Sequence, residues 1–215
     1  MRVVCGVVLL LLCGLAWAAP GDVRRFPAQG AVQAQLRVQG STDLEVFGAV
    51  IQDYQRLHPG TEVIYEDVIA WDIYEQYLHP AANAPQADLL ISASMDLQTK
   101  LVNDGHALTH RSAQTEALPA WAQWWHEVFG ISYEPVAIVY NTRKLAAARV
   151  PRTRRQLLAL LRAPDAPLRG KVGTYDAERS GVGYLFATQD GQVGSIAGAL
   201  LAALGANQVR LEERT

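Results

Sequence analysis

The sequence predicts an α/β protein, a mostly parallel sheet covered by helices. Strand-like segments at 34–39, 61–68, 87–91 and 170–175 alternate with helix-period segments at 44–57, 71–78, 95–102 and 153–161. That order is how βα units are written. Small or hydroxyl-bearing residues sit between several strands and the helices that follow, and composition is ordinary for a globular chain, 50% hydrophobic and 19% charged.

The first residues read as an export leader. Met1-Arg2 precedes an apolar run at 3–15, then Ala16-Trp17-Ala18. The run falls short of the roughly 20 residues that span a hydrocarbon core, and small residues at 16 and 18 suit a signal peptidase. Residues 1–18 are therefore expected as a signal peptide cut after Ala18, with Ala19 the second choice. Cys13 follows Leu12, where a lipidation site wants a small residue. Both cysteines, Cys5 and Cys13, lie in this leader, so the mature chain is expected to hold no disulfide, thiolate nucleophile or cysteine metal site. The formal charge is −2, and loss of Arg2 makes it one unit more negative. That balance offers no basic stripe for nucleic acid.

Residues 19–35 carry Gly, Pro, Arg and Gln without periodicity and are expected as a flexible leader. Residues 34–39 form a strand, and Leu44, Phe47, Ile51 and Tyr54 then recur at helical spacing. Ser41, Thr42 or Asp43 can cap this helix, and Glu45 suits its first turn. His58-Pro59-Gly60 ends it. The strand at 61–68 puts Val63, Tyr65 and Asp67 on one side and Ile64 on the other. A helix follows at 71–78, then a short buried strand at 87–91 and a helix through Leu97, Leu101 and Val102 that Gly105 ends. Residues 119–125 read as a loop with a helical turn. Residues 130–141 read as a long strand whose Pro135 cannot donate to a ladder. Thr153 caps the next helix; residues 170–175 form a strand; a helix starts at Ser180; another covers 194–204, ended by Gly205-Ala206.

Three turns of one kind stand before helices: Gly40-Ser41-Thr42, Ser92-Ala93-Ser94 and Ser180-Gly181-Val182-Gly183. A helix start presents unpaired N–H groups and partial positive charge, which suits an anion. Hydroxyls add donors, and small residues let a ligand approach the backbone. Singly, each turn reads as an ordinary cap; three together point to a shared pocket at the carboxyl ends of the strands.

The segments Gln39-Gly40-Ser41-Thr42-Asp43, Ala87-Asp88-Leu89-Leu90-Ile91-Ser92-Ala93-Ser94-Met95 and Ser132-Tyr133-Glu134-Pro135-Val136-Ala137-Ile138-Val139-Tyr140-Asn141 resemble extracellular solute-binding proteins of ABC importers. The nearest branch is the one associated with ferric iron, which also holds binders of phosphorylated solutes. The resemblance runs from about residue 36 to the end. It implies a periplasmic-binding-protein-like (type II) fold of two α/β lobes closing on a ligand by hinge motion. Lobe 1 would cover 36–131, a crossing strand 132–141 and a partial lobe 2 142–215, since family members continue through the rest of the second lobe. Ser41, Thr42, Ser94, Ser180, Gly181, Val182 and Gly183 would line the cleft, with Trp71 and Tyr133 as further candidates. The implied protein is periplasmic and monomeric, has no cofactor, and hands a small anionic solute, an organic acid or phosphorylated compound, to an inner-membrane ABC permease. A ferric carrier of the same family and a sensory subunit feeding a two-component system are the alternatives. Ferric binders carry adjacent tyrosines in the second lobe; here Tyr175 and Tyr184 stand apart, which favours the anion.

Other groups carry less. His106 and His110 have helical spacing, but Ala107 occupies the place of a zinc-hydrolase glutamate. Trp121, Trp124 and Trp125 could stack on a sugar; packing a loop onto the core is preferred. Arg152, Arg154 and Arg155 read as a solvated helix start, and Glu134 has no obvious catalytic partner. A hydrolase using Ser41 or Ser180 would lack a matched base, so no catalytic residue is assigned.

Overall fold

The computed structural model describes residues 22–133, 135–164, 168–194 and 196–212. The signal peptide, its cut after Ala18, both cysteines and Glu134 lie outside the described residues. A four-stranded sheet runs in the order β1-β3-β2-β4, with β1 at Asp22–Phe26, β2 at Ala34–Gly40, β3 at Thr61–Asp67 and β4 at Leu89–Ile91. The strands β2, β3 and β4 are parallel, and β1 lies antiparallel on β3. The helices α1 (Leu44–Leu57), α2 (Ala70–Leu78) and α3 (Met95–Asn103) follow β2, β3 and β4 in turn.

The central strand β3 is buried on both faces: Val63 and Tyr65 on one, Ile64 on the other. Phe26, Val38, Ile51, Val63 and Tyr65 form one core cluster. The expected flexible leader is corrected here, because residues 22–26 form β1. Phe26 supplies the reason, since its ring is buried and its carbonyl accepts from the Gln55 amide at 3.0 Å. The same buried amide donates to the Pro27 and Thr61 carbonyls, at 3.1 and 2.9 Å, tying β1 to α1 and β3.

After a short α4 (Ala113–Glu116), β5 (Gln123–Trp124) and β6 (Val128–Phe129) make a hairpin. Its turn holds Trp125 and His126 at φ 53° and 58°. The expectation that the tryptophans pack onto the core fails: Trp121, Trp124 and Trp125 are 76%, 44% and 59% exposed. Trp124 and Trp125 stack on each other instead, and the Trp124 indole N–H donates to Asn103 at 2.9 Å.

The expected long strand at 130–141 is also corrected. Its described residues, 130–133 and 135–141, are irregular and exposed. A strand exists only by hydrogen bonding to a neighbour, and no described strand pairs with this segment.

The second half has α5 (Arg154–Arg162), β7 (Gly173–Tyr175), α6 (Gly181–Val193), α7 (Ala197–Ala206) and β8 (Arg210–Glu212), with β7 and β8 parallel. Leu158, Leu161, Leu200 and Ala203 form its core. Thr153 caps α5 as expected, its Oγ1 accepting from the Gln156 N–H at 3.1 Å. The helix α7 continues through the glycine expected to end it and is capped at Asn207.

Candidate functional site

Because β2, β3 and β4 are parallel, the helices that follow them all start at the same edge of the sheet. Two backbone hydrogen bonds lock that edge: Val68 N–H donates to the Gly40 carbonyl at 2.9 Å, and Ser41 N–H to the Ile91 carbonyl at 3.0 Å. Gly40 has a second duty. A Cβ there would fall 2.1 Å from the Tyr65 hydroxyl. Its absence lets that hydroxyl reach the Thr42 carbonyl, to which it donates at 2.7 Å.

The three hydroxyl-rich turns behave differently. At α1 the N-cap residue is Asp43, whose side chain makes no capping bond. Ser41 does not cap either; its Oγ accepts from the Ala93 N–H at 3.1 Å and so bridges the α1 and α3 turns. At α3 the N-cap is Ser94. It is 0% exposed, makes no capping bond, and its Oγ has no hydrogen-bond partner. At α6 the ordinary cap reading holds: Ser180 Oγ accepts from the Gly183 N–H at 3.2 Å.

The second half meets the first at these turns. A Cβ on Gly181 would lie 1.4 Å from Ser94 Oγ and 3.4 Å from the Cβ of Ala70. The first turn of α6 therefore abuts the starts of both α3 and α2, and only glycine permits it. Gly183 has a similar constraint from its own side, where a Cβ would meet Tyr175 and the Asp176 carbonyl within 3 Å. It lets α6 fold back closely on β7.

The structure sets Gly181 against Ser94 and links Ser41 to the α3 turn through Ala93; Thr42 stands beside Ser41 ahead of α1, and Ser180, Val182 and Gly183 flank Gly181 at the start of α6. Trp71 belongs to the same edge, in the first turn of α2 and 43% exposed. Tyr133 does not join by packing; it is 82% exposed on the irregular segment. Ala70 was missed by the sequence reading, and no residue-type signal marks it. Its place after a strand in a parallel sheet was the available clue.

The helix starts are not equally positive. Glu45, Asp72 and Asp96 stand in the first turns of α1, α2 and α3, whereas α6 has no acid there. The least neutralised dipole at the junction is that of α6. Beside it, Ser94 Oγ is a buried polar atom left without a partner. Such an atom costs about 1–3 kcal/mol.

Across residues 39–210 the sequence matches the family model of the bacterial extracellular solute-binding protein. The chain belongs to this family. Its fold agrees with that of solved proteins. The substrate binding protein of the ABC transporter from Agrobacterium tumefaciens superposes with a TM-score of 0.84 at 32% identity, over 92% of this chain and 59% of that one. The apo ferric ion-binding protein A of Pasteurella haemolytica gives 0.51 at 17% identity, over 80% of this chain and 52% of that one, a likeness of fold alone. The chain thus spans 59% of the length of the Agrobacterium relative. No curated protein matches it.

Proposed function

We propose that this chain is the solute-binding component of an ABC importer, exported to the periplasm, and that it holds a small organic or phosphorylated anion at the junction of α1, α3 and α6. One observation carries the reading: the buried, unpartnered Ser94 Oγ beside the first turn of α6. A hydroxyl can donate to an anion there, and the α6 N–H groups add to it. Hydroxyls and backbone N–H groups suit an anion and not a bare cation, which weighs against ferric iron as cargo. The local bonds favour carriage over chemistry. Ser180 Oγ accepts from a backbone N–H, Ser41 Oγ does likewise, and neither sits in a nucleophile–base pair.

A thermal-shift series with phosphate, short carboxylates, sugar phosphates and ferric citrate tests this. An anion should raise Tm in a concentration-dependent way. Ser94→Ala should raise Tm without ligand, because it removes an orphaned buried hydroxyl, while shrinking the anion-dependent shift. A lower Tm with an undiminished anion response would make Ser94 a packing residue and end the proposal.

A further inference from the structure

Beside the junction lies an open groove of about 770 Å³ between α3, α6 and the start of α5. That volume lies within the roughly 300–1,000 Å³ of small organic ligand sites and far exceeds the needs of an inorganic anion. It adjoins the helix starts. Met95 follows Ser94 directly, and Leu185 lies four residues beyond Gly181, on the same face of α6 and leaning back over it. Met95, Leu185 and Phe186 give the groove an apolar wall. Its ionic groups balance in a particular way. Lys100 pairs with Asp104 at 2.6 Å, and Arg154 pairs with Asp190. Asp96 remains, its Oδ1 without a hydrogen-bond partner. Both cations are thus engaged and one carboxylate is left over.

We infer that the solute is a monoanion with an apolar body, such as an aliphatic or aromatic monocarboxylate, whose charged end meets the helix starts and whose body lies in this groove. The inference rests on the anion reading above and adds the substrate class. With Lys100 and Arg154 already paired, a second anionic end finds no free cation in the groove, so dicarboxylates and multiply phosphorylated solutes are disfavoured. The apolar wall rewards each methylene laid on it.

Calorimetric titration of the purified chain with butyrate, hexanoate, octanoate and adipate tests it. Affinity should rise along the monocarboxylates by up to roughly fourfold per methylene, the value for full burial. Adipate should bind at least about tenfold more weakly than hexanoate, its monocarboxylate counterpart of equal length, since its second carboxylate would leave water for an apolar wall with no free cation, a loss on the order of tenfold. In Phe186→Ala the ratio of octanoate to butyrate affinity should fall, whereas Ser94→Ala should weaken all the monocarboxylates together. Equal affinities along the series, or adipate binding as tightly as hexanoate, would overturn the groove assignment while leaving the anion reading standing. Absence of binding by every carboxylate and by phosphate would overturn both.

Discussion

The two halves of the molecule hold themselves together differently. The first has a four-stranded sheet whose central strand is covered on both faces. Among the described residues the second rests on α5 packed against α7, with a pair of three-residue strands beside them. Isolated two-stranded sheets are marginal in water, so the second half depends on its helix pair. The proposed site divides along the same line: three helix starts are set on the rigid sheet edge, and one, α6, is brought to them by the softer half. Any motion that admits a solute should therefore come from the α6 side, parting Gly181 from Ser94.

Mutations can break or sharpen that contrast. The largest effect is expected at Tyr65, which is 0% exposed, stacked on Phe47, and hydrogen-bonded to the Thr42 carbonyl. Tyr65→Ala should cost about 3–5 kcal/mol by urea denaturation and should also disturb the α1 turn. Leu161→Ala should cost about 2–4 kcal/mol. Hydrogen exchange should show the loss in α5 and α7 while β2 and β3 stay protected; uniform loss throughout would mean the halves fold as one unit. Thr153→Ala removes a cap and should cost about 1 kcal/mol, confined to α5.

The smallest effect concerns pH. The Glu62 carboxyl accepts from the Gln35 amide at 2.7 Å and from Arg25 at 2.9 Å. The Gln35 bond, and then Arg25, hold its pKa below the ordinary 4.5. Its contribution is therefore present above that value and fades as pH falls through and below it. Between about pH 6 and about pH 3 the wild type should lose more stability than Glu62→Gln. Equal acid sensitivity would show that this contact does not steady the first half.

Much of the fold was legible because local signals agreed with tertiary packing. Helix spacing at Leu44, Phe47 and Ile51 and the cap at Thr153 report buried faces and local bonds. The strand β1 was not legible, since what makes Asp22–Phe26 a strand is a distant edge on β3 and the Gln55 side chain. The segment at 130–141 misled in the opposite sense. Its apolar alternation is strand-like, but pairing requires a neighbour that periodicity cannot supply. The tryptophans misled because aromatic composition does not tell display from burial. Within the site, residue types pointed to Ser41, Ser94 and Gly181. Only coordinates separate the hydroxyl that bridges, the one that caps and the one left without a partner.

The most direct test is an amide-resolved NMR titration with phosphate and hexanoate. Convergent helix starts predict that the amides of Ser41, Ser94, Gly181, Val182 and Gly183 shift together with a single Kd. Shifts confined to one half, or centred on residues away from this junction, would contradict the account.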